Sequence, residues 1–244
     1  MPRAAWGRLF RRRNRLATIA AFSYLASLDR VGEGVTSKET VDGLRKIVIK
    51  DGAAYMEQLA PTYFNGEKWP AAGVTLDAVL DSLGLQLSSL DDRAPPAVVS
   101  TGNRFLVIGV KTGIVLGKLT PNLEAISRIS EALDLIGYYV FTTDRDATET
   151  DALARMFAPR YGISEESATG MAAGPLACFL HDRLHLRHSG MRIEQGLHMP
   201  IPSPSLIEAR LQIAGKTITG LMVGGRGSLA GMRIVRHAPP ATSM

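Results

Sequence analysis

Residues 165–176 read Glu165-Glu166-Ser167-Ala168-Thr169-Gly170-Met171-Ala172-Ala173-Gly174-Pro175-Leu176. Small side chains in this stretch leave the backbone N–H groups open to a ligand. The first four N–H groups of a helix have no partner inside the helix, and the positive end of its dipole lies there, which favours a carboxylate or phosphate. The stretch therefore predicts a loop followed by a helix that forms one wall of a small-molecule site.

The acids before this helix have two interpretations. A glutamate in a partly desolvated pocket has a raised pKa and can act as a general acid or base. Acids near a helix start also simply complement the helix dipole. The residues alone leave both interpretations open.

Composition and charge argue against nucleic acid as the partner. The chain has 244 residues, 45% of them hydrophobic and 21% charged, and a formal net charge of +5. That mix is typical of a globular protein, and the length suits two domains. Residues 1–15 hold six arginines and no acid, which leaves 22 basic against 23 acidic residues elsewhere. Nucleic-acid binding usually needs a basic face with stacking aromatics, so we predict no nucleic-acid partner.

The arginine-rich start precedes an apolar run from Leu16 to Leu28. A membrane-spanning helix needs about 20 residues, so this run is too short, and we predict no membrane span. A mitochondrial transit peptide, which is also arginine-rich and acid-poor, stays an alternative. Because the chain has one cysteine, Cys178, it cannot form an internal disulfide, and a cytoplasmic location is expected.

Hydrophobic periodicity and turn residues predict an α+β protein, because strands and helices come in clusters without strict alternation. We place a domain boundary in the Pro- and Asp-rich stretch 91–97. The predicted helices are 15–28, buried on all sides, 75–85 with Thr75 as cap, one from Thr120-Pro121 through Leu133 to Gly137, and 168–186. The predicted strands are 44–50 and 53–59 about an Asp51-Gly52 turn, 104–110, 138–142, 205–213 and 217–223.

The sequence around the second apolar helix resembles a known family, the PhzF-like (phenazine-biosynthesis-type) isomerases. The resemblance is carried by Arg155-Met156-Phe157-Ala158-Pro159, by Gly162-Ile163 and by the stretch from Glu165 to Ala177. It extends to four further motifs and covers roughly residues 17–236. The further motifs are Tyr55-Met56-Glu57-Gln58 with Pro61, Pro121-Asn122, Ile136 to Phe141, and Gln195-Gly196 with Pro202-Ser203.

The resemblance implies a diaminopimelate epimerase-like fold: two similar domains, each with a sheet around a central helix, and an active site in the cleft between them. Residues 1–92, with 230–244 returning to them, would form a truncated first domain, and residues 93–229 the second. Members of the family move a proton on a small carboxylate metabolite and use no metal or cofactor. We therefore expect a cofactor-independent isomerase acting by acid/base catalysis, as a possible homodimer.

The family's functional positions transfer only in part. Glu166 matches the acid of the second domain, so it is the expected catalytic residue. Leu16 stands where the family has a histidine and Arg15 where it has a glycine, and the opening strands with the family's glutamate are absent. We expect residues 1–16 to replace a lost opening. The expected substrate-binding residues are Ala168, Thr169, Gly170, Met171 and Ala172 at the second helix, with Ala17 and Thr18 at the first.

Two alternatives follow from these departures. Relatives that racemise with two thiols need a cysteine at each helix start, and Leu16 and Met171 stand there, so this chemistry is excluded. A catalytically silent, truncated family member that binds a small anion or a protein is the second hypothesis. The spacing of His181, His185 and His188 fits a solvated helix end better than a metal site, and Cys178 fits core packing.

Overall fold

The computed structural model of the protein describes residues 16–40, 43–64, 69–144 and 149–227. The helices are α1 Leu16–Ser27, α2 Leu76–Asp81, α3 Gly113–Gly117, α4 Leu123–Ala132 and α5 Gly170–Asp182. The strands are β1 Gly34–Thr40, β2 Gly43–Lys50, β3 Ala53–Leu59, β4 Thr62–Phe64, β5 Ala97–Ser100, β6 Arg104–Gly109, β7 Gly137–Thr142, β8 Ala152–Ala158, β9 Ile163–Glu166, β10 Gly190–Gln195, β11 Ser205–Ala214 and β12 Thr217–Gly225.

The strands form one sheet in the order β1-β2-β3-β12-β11-β10-β8-β7-β6-β5-β4, with β9 paired to β8. The pairs β6-β7 and β8-β10 are parallel and the other pairs are antiparallel. The sheet curves so far that the N–H of Leu59, at the end of β3, donates to the carbonyl of Thr101, just after β5, at 3.2 Å. The predicted α+β class is confirmed.

Helix α5 lies inside this curved sheet. Its residues from Ala172 to His181 are all buried, and the helix packs on β5, β6, β11 and β12. Alanines and glycines on α5 let the strands approach closely, while Leu176 and Phe179 fill the remaining core. Full burial of such large side chains stabilises the fold by about 1.5–3 kcal/mol each.

Strands β6 and β7 are buried on both faces, which explains their continuous hydrophobic runs. Phe105 and Val107 point toward α5. The alternate residues Leu106 and Ile108 pack in a second cluster with α2 and α4. The sheet therefore separates one core around α5 from an outer layer of short helices.

Helix α1 corrects one prediction. It was expected to be buried on all sides, but the side chain of Leu25 is 36% exposed and Leu28, just past the helix, is 48% exposed. The helix packs with one face on β2, β3 and β12. That face includes the buried polar residue Ser23, whose hydroxyl donates to the Gly52 carbonyl at 2.7 Å. An apolar composition on every side cannot show which side meets the sheet.

Local signals at the turns and caps are mostly confirmed. Asp51 and Gly52 both have positive φ, 51° and 72°, as the turn of a twisted hairpin requires. Helix α4 begins later than predicted, and its cap is Asn122, whose side chain accepts from the Ala125 N–H at 3.0 Å. Helix α4 ends at Ala132, so the prediction that Gly137 ends it is wrong. Gly137 lies in β7, where a Cβ would lie 2.2 Å from the Phe157 carbonyl oxygen.

The histidines do not share a solvated helix end as predicted. His181 is 3% exposed on α5. Helix α5 ends at Asp182, and His185 has a φ of 59°, so His185 and His188 lie beyond the helix. Cys178 is fully buried, as expected.

The division into residues 1–92 with 230–244 and residues 93–229 stays a prediction. Residues 1–15 and 230–244 lie outside the described residues. Within the part of the chain that the structure describes, no helix is both long and apolar enough to cross a membrane.

Candidate functional site

The starts of helices α1 and α5 meet at one cavity of about 40 Å³. Thr18 reaches it from the first turn of α1, and Met171 from the first turn of α5. The sequence predicted both residues as substrate-binding, and the fold brings them together across the cavity.

Two cations and one acid also line this cavity. Lys38 on β1 and Arg45 on β2 are directly opposite each other across the antiparallel pair. The Lys38 ammonium donates to the hydroxyl of Thr18, and Glu57 on β3 contributes the carboxylate. Like charges on opposite strand positions repel, so an anion placed between Lys38 and Arg45 would be stabilised. Neither cation was predicted from the sequence as a site residue.

Gln58 ties β3 to the start of α5. Its side-chain Nε2 donates to the carbonyl of Gly170 at 2.8 Å, and its Oε1 accepts from the Thr101 hydroxyl at 2.6 Å. Gly174 makes room for this contact, because a Cβ there would lie 2.0 Å from Gln58 Oε1. Gln58 belongs to a motif that carried the resemblance, yet its bridging position depends on the fold.

Gln195, at the end of β10, holds the loop before α5. It is fully buried. Its Oε1 accepts from the Thr169 N–H at 3.1 Å and from the Tyr139 hydroxyl at 2.9 Å. Its Nε2 donates to the carbonyl of Glu166 at 2.6 Å and to the Thr169 hydroxyl at 3.0 Å. One side chain thereby fixes the segment from Glu166 to Thr169.

The adjacent acids of β9 have different environments. Glu165 is held by Arg155, whose Nε and Nη2 each lie 2.8 Å from a carboxylate oxygen. The side chains of this pair are only 6% and 9% exposed. Glu165 is therefore a partner in a buried ion pair.

Glu166 is partly buried and accepts a hydrogen bond from the Thr169 hydroxyl at 3.2 Å. Desolvation by burial raises the pKa of the Glu166 carboxyl, and the hydrogen bond from Thr169 lowers it by less. In the described residues no cation pairs with Glu166. Its environment is that of a carboxyl which can exchange a proton.

The remaining predicted positions lie at the start of α5 and in the loop before it. The Thr169 carbonyl accepts from the N–H groups of Ala172 and Ala173, both at 3.0 Å. Because the N–H groups of Ala172 and Ala173 are engaged, fewer free donors remain than the run of small residues suggested. The Gly170 N–H has no acceptor among the described residues and stays a free donor there. Ala168 is partly buried against the core around α5, and Ala172 is fully buried in it.

The structure does not place all predicted residues in one cavity. Glu166 is not among the described residues that line the cavity of Thr18 and Met171. Ala17 and Leu16 begin α1. The described residues contain no group of three or more His, Cys, Asp or Glu side chains suited to a metal ion. Catalysis by Glu166 and substrate binding at the two helix starts stay predictions.

Solved structures share this fold. A PhzF-family phenazine biosynthesis protein from Bacillus anthracis aligns over 86% of this chain and 71% of its own, with a TM-score of 0.68 and 19% sequence identity. One from Enterococcus faecalis aligns over 88% and 70%, with a TM-score of 0.62 and 19% identity. The chain therefore has the epimerase-like α+β fold of these proteins.

Sequence comparison narrows this class to a family. The PhzC-PhzF family, described as phenazine biosynthesis-like protein, matches residues 16–230, and the chain belongs to it. An uncharacterized isomerase of Clostridium acetobutylicum is 36% identical over 46% of this chain and 37% of its own length. The trans-2,3-dihydro-3-hydroxyanthranilate isomerase of Pseudomonas chlororaphis is 31% identical over 72% of this chain and 56% of its own. The matched part of the chain thus spans about a third to just over half of the length of these relatives.

Proposed function

We propose that the protein is a cofactor-independent isomerase that moves a proton on a small carboxylate metabolite by acid/base catalysis. The observation that carries this proposal is Glu166, an acid outside any ion pair in the described residues, with a pKa raised by burial. The names of the relatives support the reaction class.

The proposed roles follow from charge and position. In its protonated form Glu166 donates a proton to one carbon of the substrate, and the carboxylate so formed takes a proton from another carbon, so the atoms of substrate and product balance. The Gly170 N–H, at the positive end of α5, and the cations Lys38 and Arg45 hold the substrate carboxylate. Gln195 positions Glu166 by donating hydrogen bonds to the Glu166 backbone carbonyl and to the Thr169 hydroxyl.

Solvent exchange tests this proposal directly. The protein is incubated in D₂O with trans-2,3-dihydro-3-hydroxyanthranilate, the compound named for the Pseudomonas relative, and deuterium uptake is followed by NMR. Because general acid/base catalysis contributes about 10²–10⁴-fold, Glu166→Gln should lower the exchange rate by at least about 100-fold. Glu124→Gln, at a carboxylate whose side chain is 83% exposed, is the matched control. Unchanged exchange in Glu166→Gln would refute the role of this acid.

The pH dependence of exchange gives a second test. If Glu166 donates the proton, exchange falls as the pH rises through its raised pKa, because the protonated form is lost. Thr169→Val removes the hydrogen bond that lowers this pKa, so the falling limb should move to higher pH. Thr169→Ser keeps the hydroxyl and should leave the limb in place. A limb that does not respond to Thr169→Val would contradict the assignment.

A catalytically silent binding protein is the second candidate. The observation that favours it is Leu16, a hydrocarbon side chain at the position that matches the family's histidine. This candidate predicts that anthranilate binds in calorimetry while deuterium exchange stays at the uncatalysed rate. Exchange that Glu166→Gln abolishes would exclude it. A cytoplasmic location and a homodimer also stay predictions, and sedimentation velocity tests the latter.

A further inference from the structure

A second concave surface lies at the opposite end of α5. It is a groove of about 860 Å³ between β4, the last turn of α5 and the turn that joins β11 to β12. Since α5 runs from Gly170 to Asp182 and a helix rises by about 1.5 Å per residue, nearly 20 Å separate this groove from the helix start. We call it the basic groove.

Three cations line the basic groove: Arg183, Arg187 and Lys216. Asp182 is the acid among its described lining residues, and other groups already engage both carboxylate oxygens of Asp182. The Tyr63 hydroxyl donates to Oδ2 at 2.7 Å, and His181 Nδ1 lies 2.8 Å from Oδ1. These contacts hold Asp182 against Tyr63 and His181, and among the described residues no ion pair joins it to a cation of the groove.

The cations themselves have no carboxylate partner within the described ranges. The Arg183 guanidinium lies over the Tyr63 ring, 5.2 Å from its centroid. Arg187 Nη2 lies 2.9 Å from the ring nitrogen Nδ1 of His185. By contrast, Arg155 and Arg210 each contact a glutamate. The basic groove thus holds three cations against one acid, whereas the chain outside residues 1–15 has 22 basic and 23 acidic residues.

The floor of the groove is fixed. His181 is 3% exposed, and Asp182 joins it to Tyr63, so this network holds the ring on which Arg183 stacks. A cation held before a ligand arrives loses less conformational entropy on binding. Pro61 and Ile213 add apolar surface beside the cations.

We propose that the basic groove binds a small organic phosphate, at a site distinct from the cavity between the two helix starts. Guanidinium groups match the geometry of phosphate oxygens. Three cations also suit a doubly charged phosphate better than a singly charged carboxylate. Pro61 and Ile213 contact the organic part of the ligand. Pro61, Ile213 and Ile218 give the groove apolar surface beside its charged residues, and its volume lies in the range of small-molecule sites.

Phenyl phosphate and inorganic phosphate are the probes for this site. Titrations of the full chain, followed by calorimetry at low salt and by amide NMR, should show saturable binding that shifts the signals of Arg183 and Gly215. The double variant Arg187→Gln/Lys216→Gln should weaken both probes by at least ten-fold. Both residues are exposed, so the variant is expected to fold. Arg128→Gln/Lys118→Gln removes the same charge from another exposed surface and should change the affinity less than two-fold.

The outcomes separate the proposal from its rivals. Phenyl phosphate should bind more tightly than inorganic phosphate, and Ile213→Thr should remove this preference. If both double variants weakened phosphate binding equally, the effect would come from the net charge of the protein and not from the groove, and the proposal would be overturned. A short single-stranded oligonucleotide that binds the basic groove more tightly than phenyl phosphate would also overturn it, in favour of nucleic acid.

Discussion

Arg155 and Glu165 show how one residue determines the role of its neighbour. Arg155 lies on β8 and binds Glu165 on β9 with two hydrogen bonds, while both side chains are buried. Its guanidinium also donates to the carbonyl of Leu116 at 3.2 Å. Arg155 thus engages Glu165 and leaves Glu166 as the acid that can exchange protons.

Replacing Arg155 alone should be costly. Arg155→Met leaves Glu165 buried without its partner, which should lower the free energy of unfolding by about 3–5 kcal/mol. The double variant Arg155→Met/Glu165→Gln removes the charge as well and should regain part of this loss. Urea unfolding of the wild type, both single variants and the double variant measures the coupling. A double variant no more stable than Arg155→Met would show that the buried charge is not the cause.

The sequence could not distinguish the two acids. Glu165 and Glu166 are adjacent, and both precede helix α5, which was predicted over 168–186 and spans Gly170–Asp182. Which one meets Arg155 depends on the pairing of β8 with β9, in which Met156 is opposite Glu166. A bulge in this pair shifts the register, and such shifts leave no simple sequence pattern.

At the scale of elements, Gln195 joins β10 to the start of α5. Gln195→Leu keeps the approximate volume but leaves the Tyr139 hydroxyl and the Thr169 N–H buried without an acceptor. An unsatisfied buried polar group costs about 1–3 kcal/mol, so the free energy of unfolding should fall by roughly 3 kcal/mol or more. Amide exchange at Thr169 should also become faster.

Tyr139→Phe is the matched control for this prediction, because it removes one hydrogen bond to the same glutamine. It should cost only about 1 kcal/mol and leave exchange at Thr169 nearly unchanged. Equal losses in both variants would mean that Gln195 does not hold the loop.

Elements with local signals were predictable, and elements defined by their neighbours were not. The Asp51-Gly52 hairpin and the pair β11-β12 follow from short-range pattern and turn chemistry. The exposure of α1 does not, because its burial depends on which strands cover it. The network of Gln195 joins residues from β7, β9 and β10 that lie far apart in the sequence.

At the scale of the whole molecule, the curved sheet is closed by a short contact between β3 and the loop after β5. The Leu59 N–H donates to the Thr101 carbonyl, and the Thr101 hydroxyl donates to Gln58. The pairing of β3 with β12 brings residues 53–59 to residues 217–225. No sequence pattern indicates a contact over this separation, so the overall fold was expected only from the family resemblance.

Thr101→Val tests this closure. The substitution keeps the shape of the side chain but removes the hydroxyl that binds Gln58. We expect hydrogen exchange at the Leu59 amide to accelerate about ten-fold, which corresponds to a loss of about 1.4 kcal/mol. Thr62→Val, on the edge strand β4 with an exposed side chain, should leave that amide unchanged. Equal protection in wild type and Thr101→Val would show that the hydroxyl does not contribute to closure.

The space that Gly174 leaves for Gln58 has a consequence for how this sequence can vary. A methyl group there would overlap Gln58 Oε1, at 2.0 Å from the ideal Cβ position. Alanine at position 174 therefore requires the Gln58 side chain to move away from its hydrogen bonds to Gly170 and Thr101, or a shorter residue at position 58, so the two positions are coupled although they lie on different elements. In a selection for folded variants, positions 58 and 174 should each retain their residue or change together. Their covariation would report the packing of β3 on α5.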